Sequence, residues 1–312
     1  MPLRRDKDGV WTVEFDETEK EKREQSHPSY IEALPRYLTA LDPAFEGARQ
    51  TSEFNFLFSL FAIRGMQDAG WDPYETTVRA IKAIREVHGQ IKGEANRDLA
   101  LWLYGHIMEA SEPYEFLANL IDVAVGGRFL GERFPPHSNG APLSPQIKIS
   151  RLTKQATAAG MSGVVIPMSE AWNREFRNAI FHADYTLYGP EVRTIRPYRS
   201  YSHDQVMTLV NRALAYHEAM SILRRSHIES YTEPVIIPAD PRFTGDPHED
   251  AIVIVREGYG AIGLKDAWTE QELGQGRIPY RLGRFSLEEM KVLDADRTLA
   301  LLTAREKTSC IP

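Results

Sequence analysis

Arg177 and His182 are separated by four residues in the run Arg-Asn-Ala-Ile-Phe-His, with an amide, Asn178, beside the cation. These groups suit work on a phosphodiester. A guanidinium stays charged at physiological pH and makes two parallel hydrogen bonds to phosphoryl oxygens. An imidazole titrates near ~6.5 and moves protons to and from oxygen around neutrality. Together they can support attack of a ribose 2′-oxygen on the adjacent phosphorus. His182 transfers the proton, Arg177 stabilises charge on the phosphoryl oxygens, and Asn178 orients either partner. That chemistry requires no metal. Spacing alone is a weak criterion, because Arg212 and His217, Arg196 and His203, and Arg242 and His248 share it. The run at 177 is set apart by its Asn, by the apolar Ile180-Phe181 before the His, and by its surroundings.

Those surroundings read as helix. At about 100° per residue, Trp172, Phe176, Ala179, Ile180 and Ala183 form one apolar stripe, which predicts a core-facing helix from about Ser169 to Tyr185. Arg174, Arg177, Asn178, Phe181 and Tyr185 fall on the other side, with His182 at the edge. Two aromatics on a non-core face call for a cover: another helix, a second subunit or a nucleic-acid strand.

The segment resembles the signature of the HEPN superfamily, helical domains whose catalytic members are metal-independent ribonucleases. That signature is an Arg, often a polar residue, and a His after four to six intervening positions. The resemblance covers about ten residues and implies a helical bundle, endoribonuclease chemistry without a cofactor, and a homodimer that joins two copies of the motif. Many members of the superfamily are interaction or regulatory domains. The resemblance therefore carries an alternative, a non-catalytic dimerisation or ligand-binding module in which Arg177 and His182 are structural. Phage defence, toxin–antitoxin function and RNA processing remain open as biological roles.

Residues 172–201 carry arginines at 174, 177, 193, 196 and 199 against Glu175, Asp184 and Glu191, a local balance of +2 (five minus three) in a chain of net charge −7. Arginine among stacking aromatics suits single-stranded RNA, which makes Arg174, Arg193, Arg196, Arg199 and Tyr198 the candidate RNA contacts. The bland alternative is a solvated loop, since Gly189-Pro190 and Pro197 interrupt regular structure. The acidity of the whole chain counts against non-specific coating of nucleic acid.

His106, Glu109, Glu112 and Glu115 recur at three-residue steps. His106 and Glu109 share a helix face as a metal pair does, but Pro113 interrupts a four-ligand face. His106, Glu109, Glu112 and Tyr185 are read instead as residues of a cleft shared with Arg177 and His182. No metal and no cofactor are expected. The sequence contains no P-loop and no Gly-x-Ser-x-Gly elbow.

The elements that must position these groups make a mainly α protein of 312 residues, 42% hydrophobic and 26% charged. Residues 1–50 are expected as an N-terminal extended arm, with a strand over 10–15 and a charged linker after it. Residues 51–230 are expected as a HEPN-like helical bundle. Asp72-Pro73 opens one of its helices, Ser144-Pro145 another, and Ser202 with Gln205 caps a long one to about 228. Residues 231–312 read as a small α+β appendage, with strands at 235–237 and 251–255, a hairpin partner at 261–264, and a helix capped by Ser286. This appendage is a candidate surface for a protein partner. The single cysteine, Cys310, and the absence of a signal or of ~20 consecutive apolar residues point to a cytoplasmic protein with no membrane partner.

Overall fold

The computed structural model of the protein describes residues 3–13, 27–61, 74–244, 248–266 and 281–283. The charged linker expected after the first strand, the Asp72-Pro73 cap, the Ser286 helix and Cys310 lie outside them. A hairpin of β1 (Leu3–Arg5) and β2 (Trp11–Val13), with Leu3 opposite Val13, rests on α1 (Pro28–Thr51). The arm expected over 1–50 is thus helical from Pro28, and this helix is part of the core. Tyr30, Leu34, Tyr37, Leu38, Leu41, Phe45 and Ala48 are buried at three- and four-residue steps, the spacing of one helix face. Pro35 and Pro43 lie inside it. Each removes an amide that would bond the carbonyl four residues back, which costs ~3 kcal/mol. Burying six large side chains at ~1.5–3 kcal/mol each outweighs that loss.

The helices that follow obey their local signals. They are α2 (Glu53–Phe61), α3 (Tyr74–Gln90), α4 (Glu94–Glu109), α5 (Glu112–Ala124) and α6 (Pro145–Ala158). α5 is buried over nearly its whole length and packs on α1, α2 and α6. Its buried polar groups hold the loop that returns from it. Glu115 accepts the Arg133 amide at 2.6 Å, and the Asn119 carboxamide both donates to and accepts from the Leu130 backbone. Such groups need these partners to be tolerated inside.

A 3₁₀ turn over Ser162–Val165 leads to α7 (Ile166–Ala171) and then α8 (Arg174–Phe181). An antiparallel meander follows, β3 (Tyr185–Tyr188), β4 (Glu191–Ile195) and β5 (Tyr198–Tyr201), with Thr186 opposite Arg193 and Thr194 opposite Arg199. α9 (His203–Glu229) then spans the bundle, packing most extensively on α1. It opens on a full capping box between Ser202 and Gln205, as their spacing predicts.

After α9 come β6 (Ile236–Pro238), α10 (Pro241–Thr244), β7 (Asp250–Arg256), β8 (Gly260–Asp266) and β9 (Arg281–Gly283). The four strands form an antiparallel sheet in chain order. β8 begins where Gly260 has φ +80°, and a Cβ there would stand 2.1 Å from the Ile228 carbonyl oxygen. Only glycine permits that approach of the sheet to the end of α9. The fold is mainly helical with small sheets. No helix among the described residues is long and apolar enough to cross a membrane.

Candidate functional site

The motif helix is shorter than its apolar stripe suggests, and its ends explain why. At the start, Asn173 leaves helical geometry, and its side chain accepts the Phe176 amide at 2.9 Å as an N-cap. The buried Tyr104 of α4 joins the two helices across this break. Its hydroxyl donates to the Ala171 carbonyl at 3.1 Å and accepts the Asn173 amide at 2.9 Å. At the other end His182 is the C-cap residue, not a residue of the helix interior. The Ala183 amide bonds the Ile180 carbonyl, the Asp184 amide bonds the Ala179 carbonyl, and Ala183 takes φ 53°. This double bond pattern is a Schellman cap with alanine where glycine is usual. The chain then leaves as β3, so Tyr185 belongs to a strand and not to the outer face of the motif helix. Burial, with the Asp98 carboxylate of α4 nearby, holds the Tyr185 hydroxyl above its usual pKa.

α8 packs on α4 at Gly105, where an added Cβ would lie 2.9 Å from Cε2 of Phe181 and 3.7 Å from Cγ2 of Ile180. This close approach brings Arg177 over the last turn of α4, where it forms an ion pair with Glu109. A second guanidinium nitrogen donates to the Asn178 side chain at 2.9 Å, and the group sits 5.0 Å from the centre of the Phe181 ring. Burial favours the neutral form of Arg177, but a guanidinium near a carboxylate stays cationic at neutral pH. Its Nε is buried without a hydrogen-bond partner among the described residues. The His182 ring is exposed and forms no hydrogen bond with them. Five helical positions correspond to about 140° of rotation. Arg177 therefore turns inward while His182 faces solvent.

Of the expected cleft residues, Glu109 is the one that meets Arg177. His106 is half-buried, with Nε2 unpartnered among the described residues, on the helix that packs against α9. Glu112 is 3% exposed, with Oε2 unpartnered among the described residues.

The candidate RNA contacts lie on the meander and the motif helix. The segment for which a solvated loop was the alternative is a three-stranded sheet, because Val192, Thr194 and Tyr201 bury against the helices and Tyr201 packs 4.9 Å from Phe176. Arg196 pairs with Asp184 at 2.8 Å and Arg199 with Glu175 of the motif helix. Arg193 pairs with Glu191 at 2.9 Å and lies 3.9 Å from the centre of the Tyr188 ring. Arg174 is exposed, and Tyr198 is 86% exposed. Exposed pairs of this kind contribute little to stability, so these arginines remain open to exchange with an external anion. Sequence reasoning overlooked Trp102, which is 57% exposed on α4, three residues before Gly105 and on the same face. Gly105 inside a helical pattern was the readable sign of a close contact there. No family model matches the chain, and neither does any curated protein or solved structure.

Proposed function

We propose that the chain is a HEPN-like, metal-independent endoribonuclease whose working site is composite, built from two copies of α8. The observation that carries this reading is the divergence of the two motif side chains. An Arg177 turned inward and a His182 facing solvent do not converge on one phosphate within a protomer. Two copies set face to face bring the His182 of one to the rim of the other's Arg177, which is 18% exposed and exchanges Glu109 for phosphate when RNA binds. The exposed Trp102 and the 41% exposed Phe181 beside the motif offer an apolar face for that association. In the reaction His182 accepts the proton of the 2′-hydroxyl as the 2′-oxygen bonds to phosphorus; the bond from phosphorus to the 5′-oxygen breaks, and that oxygen takes a proton from water, leaving a 2′,3′-cyclic phosphate and a 5′-hydroxyl. Arg177 bonds the non-bridging oxygens as charge gathers on them. The Arg–Tyr meander tracks the strand leading to the site.

The ion pair between Arg177 and Glu109 favours a second reading. There the Arg fixes α8 to α4, and the protein is a non-catalytic dimerisation or ligand-binding module. Cleavage of single-stranded RNA separates the two. Under the first reading, wild type cleaves in the presence of a chelator and leaves 2′,3′-cyclic phosphate ends, and the folded His182→Ala variant is inactive. Chelator-sensitive cleavage, or full activity in His182→Ala, refutes it. A folded wild type inert on all RNA tested supports the second.

A further inference from the structure

Far from the motif, α1 and α9 bring three metal-binding side chains together. Asp42 and Glu46, one helical turn apart on α1, lie with His227 of α9 so that one donor atom from each falls within 4.8 Å of the others. His227 is 7% exposed, and its ring plane is held by two aromatics, stacked 5.4 Å from Phe45 at 13° and edge-on 5.1 Å from Phe56. The N-terminal hairpin closes over this group. Arg5 donates from Nε to Asp42 at 3.1 Å and pairs with Glu46 at 3.2 Å, while the Trp11 indole approaches Asp42 at 3.4 Å. Arg5 accounts for the two carboxylates. It does not account for an imidazole locked beside them, whose nitrogens form no hydrogen bond with the described residues. Arg49, the other cation nearby, is engaged with Glu53 and Ser230 and lies over Tyr231.

We infer that Asp42, Glu46 and His227 form a site for a divalent first-row transition ion of the zinc type, with Arg5 of the N-terminal hairpin as its built-in competitor. Two carboxylates and one imidazole are a donor set such ions use, leaving a coordination position for water. Metal–ligand bonds of ~2.1 Å in a tetrahedron put donors about 3.4 Å apart, so the group needs to contract by little more than an ångström. A dication and a guanidinium cannot share the same carboxylate oxygens. Metal therefore displaces Arg5 and loosens the hairpin, whose Trp11 amide is otherwise held by the Thr39 hydroxyl at 3.0 Å. The site is independent of the proposed ribonuclease chemistry.

The test is calorimetric titration of the full chain with zinc chloride, with circular dichroism as the folding control. One equivalent should bind. Arg5→Met should tighten binding about tenfold by removing the competitor. Glu46→Gln and His227→Phe, chosen to keep shape and ring stacking, should each weaken it about a hundredfold. Hydrogen exchange of the Trp11 amide should quicken on zinc addition in wild type. The inference is overturned if neither wild type nor Arg5→Met binds zinc, if the two ligand variants bind as wild type does, or if zinc binds without any change in that exchange.

Discussion

The ion pair between Glu109 and Arg177 can be weighed by a double-mutant cycle of Glu109→Gln, Arg177→Met and their combination. Two unit charges ~4 Å apart at an effective dielectric of ~20 attract by ~4 kcal/mol before desolvation. Their side chains are 32% and 18% exposed, so part of the attraction is screened and part is spent removing water from the guanidinium. A net coupling of ~1–3 kcal/mol remains. Each single change should cost more than the double. Glu109→Gln strands a guanidinium whose Nε already has no hydrogen-bond partner among the described residues, and Arg177→Met strands a carboxylate. The double variant leaves an amide beside a thioether of similar bulk. The measurement is urea unfolding of all four proteins at low salt, with the slopes checked for constancy. A coupling below ~0.5 kcal/mol, within ordinary additivity error, refutes the claim that this pair fixes α8 on α4.

Four further outcomes follow from the same geometry. Ala183→Gly should stabilise the protein by ~0.5–1 kcal/mol in urea unfolding, because it relieves a positive φ in the cap that carries His182. Replacing Arg193, Arg196 and Arg199 together by Ala should weaken RNA binding and flatten its salt dependence while moving the melting temperature little; an unchanged salt slope removes them from the RNA path. Sedimentation at micromolar concentration should give a dimer of the 35.5 kDa chain, which Phe181→Asp shifts toward monomer, and a monomeric wild type ends the composite-site argument. Burial, chiefly, lowers the His217 pKa to about 4, with Arg85 and His106 adding to the shift and Glu218 opposing it. The unfolded chain takes up that proton near ~6.5, so stability should fall by roughly 3 kcal/mol as pH drops from there toward 4, and His217→Phe should flatten part of the fall.

Local chemistry was readable wherever the deciding contact lies within a few residues. Ser202 and Gln205 cap α9 because their partners are three positions apart, and Pro145 opens α6 because its fixed φ and missing amide suit a first helical turn. The β-branched run at 251–255 foretold β7. Where a distant partner decides, the pattern misled. Pro35 and Pro43 are poor helix residues by local rules, yet they lie in the helix over Pro28–Thr51, which the core stabilises. The apolar stripe from Trp172 to Ala183 hid the cap at Asn173 and the exit at Ala183, since both ends are set by Tyr104 and by the sheet that begins at Tyr185. Gly189-Pro190 and Pro197 announced turns, but not the strands between them.

By itself the sequence determined a mainly helical chain, the places where most helices start, a change to strands after residue 234, and an Arg/His pair carried on a helix. Each follows from side-chain periodicity and capping, which act over one or two turns. Only the tertiary structure decided which way the pair points. Gly105 lets α8 close on α4, Glu109 takes Arg177 inward, and the Schellman cap leaves His182 in solvent. It alone brought His227 to Asp42 and Glu46, because the packing of α1 on α9 joins residues that no local spacing rule relates.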